Sequence, residues 1–125
     1  MVSKVTEGIE LMLQALAWYV AIAPIDLRCG MDRLLLLVKT ALDRDGFDGC
    51  AYVFRNRSGN RIKVLCVDAT GVWLCVRRLH ERGSFVWPSE CAAVMELTVE
   101  QMRWLQQGVD WRRLSAELRS VKGLL

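Results

Sequence analysis

The residues from Val53 to Pro88 constrain the fold most, because short apolar segments are separated there by turn-forming residues. From Arg61 to Val67, apolar and polar residues alternate at the start, which is typical of a β-strand with one buried face. The intervening segments, NRSGN at 56–60 and DATG at 68–71, have turn composition with glycine available for a positive φ. We therefore predict an antiparallel β-meander with strands at 50–55, 61–67 and 72–78, followed by a short strand at 85–87.

The same stretch concentrates the positive charge of the chain. It contains seven Arg and Lys residues and two acidic residues, a net charge of +5, whereas the whole chain of 125 residues carries only +3. Such a concentration favours a polyanionic partner, with DNA the expected one. The predicted nucleic-acid-binding residues are Arg55, Arg57, Arg61, Lys63, Arg77, Arg78 and Arg82. The alternative interpretation is that these cations only solubilise the sheet and discourage edge-to-edge pairing.

Aromatic residues near the basic strands have two possible roles. Tyr52, Trp73 and Phe85 could stack on unpaired bases, or they could belong to the hydrophobic core. The pattern of residues 72–74 does not decide which face of the sheet the Trp73 side chain occupies.

A helix is predicted before the meander. Asp26 is a suitable N-cap, and apolar residues from Leu27 to Leu42 recur at steps of three and four. The helix is expected to end near Asp45-Gly46. Gly30 then falls within its first turns, where the missing side chain would let another backbone approach closely.

The flanking regions predict further elements. Residues 5–17 have helical spacing, and Trp18 to Ile25 favour a short strand. After Pro88 we expect an edge strand at 94–97 and a helix from a Thr98–Gln101 capping box to Gln107. A last helix is expected from Trp111 to about Val121.

Together these elements predict an α+β fold, in which a small antiparallel β-meander packs against one long helix and a C-terminal helical pair. The absence of linkers and repeats predicts a single domain over residues 1–125. Residues 1–17 would form an N-terminal helical extension and residues 115–125 a C-terminal tail helix.

The five cysteines favour neither a disulfide framework nor a zinc site, since their number is odd and no CxxC pair occurs. We expect them to be small hydrophobic residues in a reducing compartment, which makes the protein cytoplasmic. The apolar run from Leu11 to Ala23 is too short for a membrane span. Glu7 and Glu10 in the segment before it also argue against a secretory signal.

Catalytic motifs are not recognisable. His80 is the only histidine, and it lies in a charged segment with no nucleophile at a typical spacing. The aspartates that a two-metal nuclease would need have plainer roles as caps, turn formers and helix-face charges; they are Asp26, Asp32, Asp43, Asp45, Asp48 and Asp68. We therefore predict no enzymatic activity, metal or other cofactor.

A series of motifs resembles a known family. They begin with Asp26-Leu27-Arg28 and Gly30-Met31-Asp32, and continue through Val53-Phe54-Arg55-Asn56-Arg57 and Arg61-Ile62-Lys63-Val64-Leu65. They end with Phe85-Val86-Trp87-Pro88 and Asp110-Trp111-Arg112. In this order they resemble TnpB, the second-open-reading-frame protein of insertion-sequence family sixty-six, over about residues 18–114.

The resemblance implies a non-catalytic accessory protein for transposition of a bacterial insertion sequence, acting beside a separate transposase that cuts and joins DNA. Its implied partners are DNA, the transposase and other accessory proteins of the element, with no membrane. The alternative is a protein–protein adaptor for the transposase without nucleic-acid contact. Cys29 and Arg33 depart from the family pattern, as does Ser84 in a loop that is one residue longer.

Overall fold

The computed structural model describes residues 14–89 and 91–112. In chain order the elements are β1 (Trp18–Ala21), α1 (Met31–Thr40), β2 (Ala51–Arg55), β3 (Arg61–Val67), β4 (Val72–Arg78), β5 (Val94–Leu97) and α2 (Val99–Leu105). The strands form one five-stranded sheet in the order β4-β3-β2-β1-β5. The α+β class is therefore confirmed.

The predicted antiparallel meander describes only part of the sheet, because the sheet as a whole is mixed. β2, β3 and β4 do form two antiparallel hairpins, but β1 pairs with β2 in parallel, with Trp18 opposite Ala51. Parallel neighbours cannot be joined by a tight turn and require a crossover. Here α1 lies in that crossover, so the helix is part of a β-α-β unit.

The predicted long helix is shorter, because its expected N-cap has another role. The Asp26 carboxylate accepts a hydrogen bond from the backbone N–H of Arg28, at 3.0 Å, and forms a local turn. The helix starts at Met31 after Gly30, an N-cap residue without a side-chain cap. Gly30 thus lies outside the helix, and a Cβ there would meet nothing within 4 Å, so the predicted close backbone approach is wrong.

The sheet separates two hydrophobic clusters. On one face, Leu34 and Val38 of α1 pack with Tyr52, Phe54 and Leu65. On the other face, Met102 and Leu105 of α2 belong to a cluster that includes Val53, Val64 and Trp111 among its members. β2 is buried from Ala51 to Phe54, because both of its faces are covered.

The C-terminal half agrees with its local sequence signals. β5 is the expected edge strand, and Thr98 and Gln101 form the predicted capping box at the start of α2. Residues 85–87 are not in a strand and pair with none of the described strands, so the predicted fourth strand of the meander is wrong. The expected helix from Trp111 to Val121 lies almost wholly outside the described residues, as does the tail at 115–125. Of the helical extension predicted over residues 1–17, residues 1–13 also lie outside them, and residues 14–17 are not helical.

Within the described ranges, no helix combines the length and the apolar character that crossing a membrane requires.

Candidate nucleic-acid interface

Three loops meet at one end of the sheet. The backbone N–H of Ile25 donates to the carbonyl oxygen of Arg55, at 2.9 Å, which joins the segment after β1 to the end of β2. The N–H groups of Leu79 and Phe85 donate to the carbonyl oxygens of Asn60 and Gly59, at 2.9 and 2.7 Å. The loop after β4 is therefore held against the β2–β3 turn. We call this end of the sheet the basic end.

The β2–β3 turn is closed by its own side chains. The Asn56 side-chain amide donates to Asn60 Oδ1 at 2.8 Å, and Asn56 Oδ1 accepts from the backbone N–H of Arg61 at 3.1 Å. Gly59 has φ +74°, a conformation that favours glycine. These contacts fix the backbone of the turn that presents Arg57 at its exposed tip.

Three of the seven predicted binding residues are engaged within the protein. Arg55 Nη2 donates to the carbonyl oxygen of Ile22 at 3.1 Å, and Lys63 Nζ donates to that of Cys29 at 2.8 Å. Arg77 Nε donates to the carbonyl oxygen of Gln106, the C-cap residue of α2, at 2.6 Å. These hydrogen bonds link the strands to segments outside them, namely the residues after β1, the residues before α1 and the end of α2.

Arg55 is partly buried. Its guanidinium lies 5.7 Å from the ring centre of Trp87, and its Nε is buried without a hydrogen-bond partner among the described residues. A guanidinium placed in this way is better suited to stabilising the fold than to contacting a DNA phosphate.

The other four cations have no side-chain hydrogen bond or salt bridge to any described residue; they are Arg57, Arg61, Arg78 and Arg82. Arg61 and Arg78 lie directly opposite each other on β3 and β4. Like charges at such positions repel, with Cβ atoms about 5 Å apart, and destabilise the pair unless an anion neutralises them. This unneutralised pair is the main electrostatic feature of the basic end.

An open cleft of about 460 Å³ adjoins the pair. Its wall includes Arg28, Arg57 and Arg61 together with the polar side chains of Asn56 and Ser58. The cleft therefore joins the turn of the hairpin to the segment that precedes α1. Arginine guanidinium groups and short polar side chains of this kind suit phosphate oxygens.

Arg28 is a cleft residue that the charge count of the hairpin does not include. Its guanidinium forms a two-point contact with Asp26, with Nη2 and Oδ2 2.7 Å apart, and this contact lowers the pKa of Asp26 to about 2. The positive charge of Arg28 is thus partly compensated. The Asp26-Leu27-Arg28 motif was the sequence signal that pointed to this position.

The aromatic side chains divide between core and surface. Tyr52 and Phe85 are buried, so neither can stack on a base. Trp73 is 42% exposed, but it lies at the start of β4, away from the basic end.

Negative charge lies at the opposite end of the sheet. Asp68 follows β3, and backbone N–H groups of Thr70 and Gly71 lower the pKa of its carboxyl. Asp48 precedes β2 and accepts a hydrogen bond from the Tyr52 hydroxyl at 2.7 Å. Asp68 thus places an acidic group at the end opposite the basic end, whereas the charge of Asp48 is paired with that of Arg44, at 3.6 Å.

In the part of the chain that the structure describes, no three His, Cys, Asp or Glu side chains are grouped so as to hold a metal ion. His80 is exposed in the loop after β4.

The comparisons with known proteins point to one family. The family model described as "IS66 Orf2 like protein" matches residues 16–116. The chain is 38% identical over 104 residues to the uncharacterized protein y4hO of Sinorhizobium fredii, covering 83% of this chain and 90% of that protein. It is 34% identical over 95 residues to y4jC of the same organism, covering 76% and 80%. No solved structure matches significantly.

Proposed function

The chain belongs to the IS66 Orf2-like family, and from this premise we propose that it binds DNA as a non-catalytic accessory protein of transposition. Family membership supports the accessory role in an insertion-sequence system. The proposed DNA contact is the basic end of the sheet, with Arg57, Arg61, Arg78 and Arg82 facing phosphate oxygens.

The observation that carries this proposal is the opposed pair of Arg61 and Arg78. Two cations at directly paired positions lower stability. A backbone phosphate bound between the two guanidinium groups would offset much of this repulsion with its single negative charge. Arg57 at the neighbouring turn and Arg82 in the adjacent loop extend the positive surface beyond a single phosphate.

The test is a titration of labelled duplex and single-stranded DNA over a series of salt concentrations. Phosphate contacts release counterions, so the slope of log K against log salt is about −0.9 per contact with duplex DNA. Four arginine contacts predict a slope of about −3 to −4 on that basis. Arg61→Gln should weaken binding and reduce the magnitude of the slope by about one.

Lys39→Gln is the matched control, because it removes the same charge from an exposed position in the last turn of α1. This variant should bind as the unchanged chain does. Binding that is undetectable even at low salt would overturn the proposal. Equal losses in Arg61→Gln and Lys39→Gln would place the DNA contact elsewhere.

The second candidate is an adaptor that contacts the transposase without touching DNA. It is favoured by exposed apolar side chains on α2, where Val99 and Trp104 lie at the surface. Charge reversal at Arg57, Arg61 and Arg78 distinguishes the two functions. An adaptor should still capture the transposase and support transposition, whereas a DNA-binding accessory protein should lose that support.

A further inference from the structure

β4 is an unprotected edge of the sheet. It is seven residues long, and none of the described residues pairs with its outer side. Its exposed apolar side chains are Val72, Trp73, Leu74 and Val76, the last of them 57% exposed. Proteins normally blunt such edges with proline, bulges or short strands, but β4 contains no proline and pairs with β3 in continuous register.

The hydrogen bonds at the two ends of the β3–β4 hairpin show which backbone groups are free. Leu79 N–H donates to the Asn60 carbonyl, and Asp68 N–H donates to that of Gly71. Hydrogen-bonded pairs alternate along an antiparallel ladder, so the odd-numbered residues of β4 bond to β3. The even-numbered residues therefore present their N–H and C=O groups to the open edge; they are Val72, Leu74, Val76 and Arg78.

From this edge we infer that the protein forms a symmetric homodimer, in which β4 pairs antiparallel with β4 of a second copy about a two-fold axis at Cys75. This register uses the whole strand. It places Leu74 opposite Val76 of the second copy, and Val72 opposite Arg78. The residues that form backbone hydrogen bonds across this interface are all even-numbered, in agreement with the free N–H and C=O groups of β4.

The charges along β4 complement those of an inverted copy. The strand begins near Asp68, whose carboxyl pKa is lowered by the Thr70 and Gly71 backbone and, to a smaller extent, by the Trp73 side chain, and it ends with Arg77 and Arg78. In the proposed register, Arg77 lies opposite Trp73 of the second copy and close to its Asp68. No arginine faces another arginine across the new interface. A parallel copy would instead bring the cations together.

Cys75 provides a direct readout of the register. It would face its own counterpart in a non-hydrogen-bonded pair, where Cα atoms are about 4.5 Å apart. That separation lies within the range that a disulfide can span. Mild oxidation should therefore link two chains through Cys75, and Cys75→Ser should abolish the link. Cys91→Ser, which removes an exposed cysteine elsewhere, should leave it intact.

The dimer itself is tested by sedimentation equilibrium of the full chain under reducing conditions. Val76→Glu, at an exposed position directly opposite Lys63 of β3, adds a charge without creating a like-charge pair in the monomer and should shift the chain to monomer. Val99→Glu on α2 is the control for an added surface charge and should remain dimeric. A monomer at every concentration, or cross-linking that persists in Cys75→Ser, would overturn the inference.

This inference does not depend on DNA binding. A chain that dimerises through β4 without binding DNA would refute only the proposed function. A monomer that binds DNA with the expected salt dependence would refute only the dimer.

Discussion

The seven basic side chains of residues 53–88 differ in what their cationic groups contact. Arg55, Lys63 and Arg77 donate to backbone carbonyl oxygens and help to fix the sheet to its coverings. Arg57, Arg61, Arg78 and Arg82 have no such partner among the described residues. Substitutions in the first set should therefore affect stability, whereas substitutions in the second set should affect chiefly the binding of anions.

Arg78→Gln should raise stability while it weakens DNA binding. Removing one of two directly opposed cations relieves a repulsion of about 0.2–1 kcal/mol. The gain should be measurable by urea denaturation at low salt and should shrink at high salt, since salt screens exposed charges. Arg82→Gln is the control, because Arg82 lies in a loop with no cation opposite it. A loss of stability in Arg78→Gln would show that the guanidinium has a structural partner.

Asp48 should contribute an acid-dependent part of the stability. Burial alone would raise the pKa of its carboxyl, but hydrogen bonds from the Tyr52 hydroxyl and the Cys50 backbone, together with the charge of Arg44, lower it overall. A lowered pKa means that the folded state favours the carboxylate. This contribution is complete above the ordinary value of 3.8 and is lost as pH falls through the lower pKa of the folded state.

Asp48→Asn should therefore reduce stability at neutral pH and flatten the decline in acid. Urea denaturation between neutral and strongly acidic pH measures both effects. Asp43→Asn, at an exposed position in the same loop region, is the control and should keep the full decline. Identical pH profiles for Asp48→Asn and the unchanged chain would contradict the assignment.

At the level of elements, α2 depends on its N-terminal cap more than a long helix would. It has only seven residues, and isolated helices of that length are unstable. Thr98 Oγ1 accepts from the Gln101 N–H at 3.1 Å, and the Gln101 side chain accepts from the Thr98 N–H at 2.8 Å. Both donors would otherwise lack an intrahelical partner.

Thr98→Ala should lower the free energy of unfolding by about 1 kcal/mol, within the usual range of about 0.5–2 kcal/mol for a lost N-cap. Thermal or urea denaturation measures the loss, and Thr98→Ser should retain most of the stability because serine provides the same acceptor. If Thr98→Ser destabilises as much as Thr98→Ala, the methyl group rather than the hydrogen bond is the source of the effect.

At the level of the whole molecule, the two ends of the sheet carry different charged groups. Its basic end has four arginines without protein partners in the described ranges, and its opposite end carries Asp48 and Asp68. The outer edge at β4 is apolar over most of its length. An antiparallel pair of molecules would bury this edge and leave a basic end exposed on each copy, so that dimerisation and DNA binding are sterically compatible.

The positions of the local elements could be predicted from the sequence because their signals are local. The alternation in β3, the turns beside it and the capping box of α2 all rest on residues within a few positions of one another. The +5 charge of residues 53–88 likewise required only counting, and it identified the hairpin that carries the candidate site.

Tertiary structure alone decided how these elements pair and which cations are engaged. The parallel pairing of β1 with β2 depends on the burial of both faces of β2. The local periodicity of apolar residues does not indicate which strand will be the neighbour. Arg55, Lys63 and Arg77 meet carbonyl oxygens 29 to 34 residues away along the chain. Arg61 and Arg78 became a pair only through the β3–β4 register, because repulsion between two side chains depends on their distance in space.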